Sequence, residues 1–374
     1  MKLRALVVDD SVVYRRILTE ALKALPEVEV VGSAPTGKLA LQRLQELRPD
    51  LVTLDIEMPE FDGIQVLEAM KSQGETASVI VVSAVTRKGG QLTMRALELG
   101  AFDFITKPEA ASMEEGRETI VRELAPRIRA LVQRLGVRNA LRHPTPTVAA
   151  PAEKIATSPK ASSTALDDIA RRMSSLSASI RPEMILIGVS TGGPNALAKI
   201  IPALPSNIGV PILVVQHMPP LFTQSLADSL ASKSVVRVRE AVDGEVAAAN
   251  VVYISPGGKH MRVAAGPDGK KHLQITNDPP ENNCRPSVDY LFRSAAIGFP
   301  GRSMAVMLTG MGSDGMLGLQ LLKRRGCFSI AQDEATCVVY GMPKAVVDAG
   351  LADAVLPLDS IAARIISMVR GGPG

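Results

Sequence analysis

The chain has 374 residues, of which 46% are hydrophobic, 21% charged and only 3% aromatic, with no tryptophan. That length accommodates two or three domains of about 100–200 residues each, and the apolar content excludes a chain dominated by disorder. A net charge of +4 demands no polyanionic partner, and the scarcity of rings argues against a stacking platform for single-stranded nucleic acid.

The first ten residues, MKLRALVVDD, form an apolar run cut short by Asp9 and Asp10, unlike the core of a signal peptide. No stretch approaches about 18 uninterrupted apolar residues, so the expectation is a cytoplasmic protein with no membrane insertion. Cys284, Cys327 and Cys337 have no paired spacing and read as buried thiols rather than a disulfide framework.

In chain order, short apolar runs at Ala5–Val8, Val28–Ser33, Leu51–Leu54, Val79–Ser83 and Phe102–Ile105 alternate with helix-period segments such as Val13–Ala24 and Lys38–Glu46. Five such alternations predict a parallel sheet covered by helices. From Asn139 to Pro182 the chain turns rich in Pro, Ala, Ser and Thr and reads as a linker, with a short helix expected over Leu166–Met173. A flexible tether of about 40 residues spans roughly 35 Å and cannot hold two domains in one arrangement. The alternation resumes at Met184–Val189, Pro211–Val215, Val251–Ile254, Ala305–Thr309 and Phe328–Ala331. The predicted architecture is α/β throughout: a flavodoxin-like (βα)5 domain over 1–122, a helical extension and linker over 123–183, and a doubly wound, mostly parallel α/β domain over 184–370.

Two clusters carry chemistry. In the first, Asp9 and Asp10 follow strand one, Asp55 follows strand three, Ser83 ends strand four and Lys107 follows strand five. A parallel sheet brings all of them to its carboxyl edge. Three carboxylates together require a cation, and an all-oxygen set with room for water favours Mg²⁺. Lys107 and Ser83 would then face the oxygens of an incoming phosphoryl group. A single aspartate after a strand would read as a turn former, but this set at successive strand ends does not.

The second cluster begins with GVSTGG at 188–193, which fits G-x-S-x-G. Alone it is equally a tight strand-to-helix turn with a capping Ser190. A serine nucleophile needs a base. Of the four histidines, His143 lies in the linker, and His217 closes the strand PILVVQ at the same sheet edge as Ser190. His260 and His272 flank a Gly-rich turn, read as exposed loop or hairpin residues, and leave His260 as second-choice base. Asp314, in LTGMGSDG after another strand, is the candidate orienting acid. The backbone of Thr191, Met311 and Gly312 offers candidate oxyanion or substrate-positioning donors. The order Ser, His, Asp differs from the Ser, acid, His order of α/β-hydrolases. A competing signal is Gly310 to Gly315, which matches G-x-G-x-x-G with Asp333 about 20 residues on, a dinucleotide-binding pattern. A DNA-binding output would instead require a basic recognition helix, which the strand-rich pattern after 183 fits poorly.

Residues 1 to about 122 resemble a response-regulator receiver domain on the strength of Asp9, Asp10, Asp55, Ser83 and Lys107. The resemblance implies Asp55 as phospho-acceptor, Asp9, Asp10 and Asp55 around Mg²⁺, Ser83 and Lys107 as switch residues, and Phe104 at an aromatic switch position that packing explains equally well. GVSTGG, QHMPP, YISPGGKHM, RPSVDYLFRSAA, LTGMGSDG and VVYGMPKA resemble, in family order, the catalytic domain of chemotaxis protein-glutamate methylesterases. That resemblance implies Ser190 as nucleophile, His217 as base and Asp314 as acid, with no cofactor for the hydrolysis. It also implies chemoreceptor cytoplasmic domains as substrate, a histidine kinase as phosphodonor, receptor glutamines as possible further substrates, and inhibition by the receiver until Asp55 is phosphorylated.

Overall fold

The computed structural model describes residues 2–108, 112–142, 181–301 and 303–371. The short helix expected over 166–173 and most of the expected linker lie outside the described residues.

The N-terminal elements are β1 (Leu3–Val8), α1 (Val12–Lys23), β2 (Val28–Ala34), α2 (Gly37–Leu47), β3 (Leu51–Asp55), α3 (Gly63–Ser72), β4 (Ser78–Ser83), α4 (Arg87–Glu98), β5 (Asp103–Thr106) and α5 (Met113–Arg142). The five strands pair in parallel in the order β2-β1-β3-β4-β5. β3 is buried along its whole length, as a strand covered on both faces must be. Ser11, Thr36, Asp62 and Thr86 each accept a backbone N–H from the first turn of the following helix. Capping by short polar side chains starts these helices soon after the strands end and leaves the carboxyl edge polar. Position 122 falls inside α5, which continues to Arg142 and contains Pro126.

The C-terminal elements are β6 (Met184–Val189), α6 (Gly193–Ile200), β7 (Ile212–Gln216), α7 (Phe222–Ala231), β8 (Arg237–Glu240), β9 (Val251–Ile254), β10 (His260–Ala265), β11 (Lys271–Thr276), α8 (Val288–Gly298), β12 (Ser303–Met307), α9 (Met316–Arg324), β13 (Phe328–Gln332), α10 (Met342–Asp348), β14 (Ala354–Leu356) and α11 (Leu358–Arg370). Seven of the strands form a parallel sheet in the order β14-β13-β12-β6-β7-β9-β8, and β10 and β11 form a separate antiparallel hairpin. The winding reverses between β6 and β12, so the loops after these two strands diverge and open a crevice. Apolar runs do not reveal β8, an edge strand reading Arg-Val-Arg-Glu, or the three-residue β14.

The two sheets are not independent bodies. One buried apolar cluster contains Leu54 and Val81 of the first sheet together with Ile187 and Val214 of the second. Phe104 of β5 stacks on Phe222 of α7 with ring centroids 4.9 Å apart and planes 12° from parallel. Helices α4 and α7 approach closely at Gly90, where an added Cβ would lie 2.6 Å from Ser225 Oγ. At the rim, Glu98 pairs with Lys233 and accepts from Ser229 Oγ at 2.9 Å. Burial pushes the Glu98 carboxyl up, but these partners outweigh it and hold the group below its ordinary value.

Candidate active site

The expected acidic pocket assembles at the carboxyl edge of the first sheet. One carboxylate oxygen from each of Asp9, Asp10 and Asp55 lies within 4.8 Å of the others. Lys107 Nζ donates to Asp55 Oδ2 at 2.6 Å and stands 3.2 Å from Asp9 Oδ2. Among the described residues Asp9 Oδ2 is buried with no partner but this ammonium. Three clustered carboxylates against one ammonium leave surplus negative charge in an all-oxygen set, which fits a hard divalent cation. Burial raises Asp55 to about 6 against the pull of Lys107, and raises Asp9 as well. Ser83 Oγ donates to Gly89 O at 3.3 Å, in the first turn of α4, rather than to Asp55.

In the second domain, β6 ends at Val189 and the chain turns sharply through Ser190 and Gly192 (φ 76°) into α6. Ser190 N donates to Thr309 O at 3.0 Å, which ties the turn to the loop after β12 across the reversal point. His217 follows β7 and bonds Asp314 Oδ2 through Nε2 at 2.8 Å. A carboxylate only accepts, so Nε2 carries the hydrogen and Nδ1 is the basic nitrogen. Nδ1 faces Cys284 Sγ at 3.8 Å. No hydrogen bond among the described residues joins it to Ser190, although the serine and the imidazole line one cavity.

Asp314 is held from several sides. Its Oδ1 accepts from Asn282 Nδ2 (2.9 Å), Ser287 Oγ (2.8 Å) and Asp289 N (3.2 Å), and its Oδ2 accepts from Val288 N at 2.7 Å. The carboxylate therefore sits on the N-terminal end of α8, where free amides and the helix dipole favour an anion. Burial alone would raise Asp314, but His217, Asn282 and Val288 N hold it well below the usual carboxylate range. Burial alone would depress His217, yet its partners Asp314 and Cys284 push it up to about 9.

These shifts set a pH window for stability. A raised histidine contributes stability fully present below its unfolded value of about 6.5 and lost as pH rises through about 9. A depressed aspartate contributes above its unfolded value of about 3.9 and loses that contribution in strong acid. The urea midpoint of the wild-type protein should therefore exceed that of Asp314→Asn most between about pH 4 and 6.5, with the gap narrowing towards pH 9. A gap that widens from pH 6.5 to 9 would contradict the ion pair.

His260 is not an exposed hairpin residue: it opens β10 fully buried, bonds Ser287 N through Nδ1 at 3.2 Å and Pro279 O through Nε2 at 3.0 Å, and stacks on Tyr290. With both nitrogens committed to backbone, it braces the segment that cradles Asp314 and is corrected as an alternative base. His272 pairs with Asp268 on the hairpin, and His143 lies outside the described residues. The glycine-rich loop at 310–315 does not cradle a pyrophosphate. Gly341 N and Met342 N both donate to Gly310 O, and a Cβ on Gly341 would lie 3.0 Å from Met311 Cα, so the 339–342 segment fills that space. Asp333, the would-be ribose ligand, accepts from Thr336 N and Oγ1 in its own turn.

Ser190, Thr191 and His217 face a cavity of about 240 Å³ whose opposite wall is Asp103, Phe104 and Arg127 of the first domain. Thr191 Oγ1 donates across it to Asp103 Oδ2 at 3.2 Å, and Arg127 Nε donates to the same oxygen at 3.0 Å. Neither the Thr191 nor the Met311 amide has an acceptor among the described residues. Gly312 is left-handed (φ 82°) and shapes the loop beside Met311. Asp103, Arg127, Asn282, Cys284 and Ser287 escaped the sequence reading. Ser287 caps α8, where its side chain accepts from Tyr290 N.

Fold and site together define a receiver-type domain packed over the Ser–His–Asp edge of an α/β output domain. The family profile described as "CheB methylesterase" matches residues 185–365, and the "Response regulator receiver domain" profile matches 5–117. A protein of Desulfotalea psychrophila named protein-glutamate methylesterase/protein-glutamine glutaminase is 47% identical over 98% of this chain and 99% of its own length. A protein of the same name from Clostridium acetobutylicum is 40% identical over 99% of both. A solved CheB methylesterase catalytic domain from Thermotoga maritima is 46% identical, covers 51% of this chain and 100% of its own, and superposes with a TM-score of 0.49. The chain belongs to the CheB methylesterase family and carries that family's receiver domain.

Proposed function

We propose that this protein hydrolyses glutamate methyl esters on the cytoplasmic segments of chemoreceptors, and receptor glutamine amides by the same route, under control of Asp55 phosphorylation by a histidine kinase. The observation that carries the reading is that His217, paired with Asp314, lines the same cavity as Ser190 at the same sheet edge. Ser190 Oγ attacks the side-chain carbonyl carbon while Nδ1 of the neutral form of His217 takes its proton. The oxyanion rests on the Thr191 and Met311 amides, with Gly312 shaping the loop. Methanol departs with the proton from His217; from a glutamine, ammonia departs instead. Water then attacks the acyl-serine, returns a proton to Ser190 through His217 and leaves a glutamate carboxylate. No cofactor is required for this step.

In the receiver, Asp9, Asp10 and Asp55 would hold Mg²⁺, which offsets negative charge as a phosphoryl group reaches Asp55. Lys107 would pair with the phosphoryl oxygens, Ser83 would leave Gly89 O to donate to them, and Phe104 would move with it. The division into 1–122, 123–183 and 184–370 assigns phosphorylation to the first unit and hydrolysis to the last. The closed arrangement supports inhibition, because Asp103, Phe104 and Arg127 of the first domain stand across the cavity from Ser190 and His217.

The test is methanol release from methylated receptor, with and without a small-molecule phosphodonor. Release that the donor stimulates is the expected result, and no release in either condition overturns the proposal. In Asp55→Asn the donor should leave the rate at its basal level. Stimulation that persists in this variant would move the phospho-acceptor elsewhere.

A further inference from the structure

Gln216, the last residue of β7, stands immediately before His217 and is 2% exposed. Its Nε2 donates to Ser190 O at 2.9 Å and to His217 O at 3.3 Å. Ser190 O also accepts from Gly193 N at 2.8 Å. The other end of the carboxamide has nothing to bond: Oε1 is buried without a partner. The space it fills exists only because residue 193 is glycine, since a Cβ there would lie 1.9 Å from Oε1.

An unpaired buried acceptor is costly, and an apolar side chain of similar length would avoid that cost. The amide is therefore poorly explained as packing. What it alone supplies is an NH₂ group shared between the carbonyls of the two residues read as nucleophile and base. Among the described residues the backbone at Ser190 has no other side-chain restraint: its N–H goes to Thr309 O and its carbonyl otherwise only to Gly193 N. His217 N makes the last ladder bond, to Val189 O at 3.2 Å, and the chain then runs without a strand to α7.

We propose that Gln216 is a positioning residue, tying the Ser190 turn to the start of the His217 loop so that Oγ and Nδ1 keep a fixed separation when the receiver moves away. This rests on the reading of Ser190 and His217 given above. Gln216 touches no reacting atom; it acts through the backbone of the two residues that do.

The role predicts a split between stability and turnover. In the phosphodonor-activated full chain, Gln216→Met should have a kcat lower by about ten-fold or more, with KM within about two-fold of wild type, because misplacement by fractions of an ångström is felt in the transition state. Its thermal midpoint should equal or exceed that of wild type, since an orphaned acceptor has been removed. Gln216→Glu gives an independent readout. A protonated carboxyl still donates one hydrogen bond to Ser190 O, whereas a carboxylate faces two carbonyl oxygens. The ratio of its kcat to that of wild type should fall as pH rises through the carboxyl titration. Wild-type kcat in Gln216→Met, or a flat ratio in Gln216→Glu should the Met variant fail to fold, overturns the positioning role. Ser190→Ala in the same assay separates the two readings. Activity retained there overturns the nucleophile assignment, whereas its loss alongside unaffected Gln216 variants overturns only the tether.

Discussion

Ser190→Ala should abolish methanol release, lowering kcat by at least about 10³-fold while the chain stays folded, because a triad stripped of its nucleophile retains only binding and oxyanion contributions. Ser190 is partly exposed on the cavity, and no hydrogen bond to its side chain is made among the described residues, so removing Oγ leaves no buried group unsatisfied. The thermal midpoint should move by no more than a degree or two. A variant that keeps wild-type turnover would eliminate the serine route. His217→Gln should fall nearly as far, but it should also destabilise the protein, because Asp314 would lose its Nε2 partner in a site that is 4% exposed.

Residues 181–371 alone should release methanol at least about ten-fold faster than the unphosphorylated full chain. That factor corresponds to a closing free energy of about 1.4 kcal/mol available to the interface. The contacts differ in weight. The Glu98–Lys233 pair lies at the rim, with side chains 27% and 37% exposed, and an ion pair of that kind is worth about 0–1 kcal/mol. The Phe104–Phe222 stack is buried, and such pairs add about 0.5–1.5 kcal/mol beyond the area they cover. Helices α4 and α7 meet with no room for a side chain at Gly90, where an added Cβ would lie 2.6 Å from Ser225 Oγ. Gly90→Leu in the full chain should therefore raise basal methanol release more than Lys233→Glu does, since it forces α4 off α7 while the charge reversal only loosens an edge. Equal rates for the full chain and residues 181–371 would rule out inhibition by the receiver.

The strands that build both sheets are mostly visible as apolar runs, because a buried parallel strand has no polar face to interrupt it. Asp9, Asp55, Lys107, Ser190 and His217 each stand at the end of such a strand, and Asp314 lies in the loop that follows one, so their shared edge could be inferred from order alone. β8 and β14 were hidden for the converse reason: edge strands may be short and charged. His260 misled because Gly257 and Gly258 mark a turn, and a turn says nothing about whether the next side chain points into the core.

Local periodicity thus specifies which element a residue occupies and at which end, since both follow from neighbours a few positions away. It does not specify partners. Which imidazole nitrogen is basic depends on Asp314, 97 positions from His217, and the placement of Asp314 depends on the amides that open α8. The union of the two domains across Phe104, Phe222, Gly90 and Ser225 is a matter of complementary shape between surfaces far apart in the sequence. Only the folded molecule brings those surfaces together, and it alone reveals that the two sheets share one buried apolar cluster.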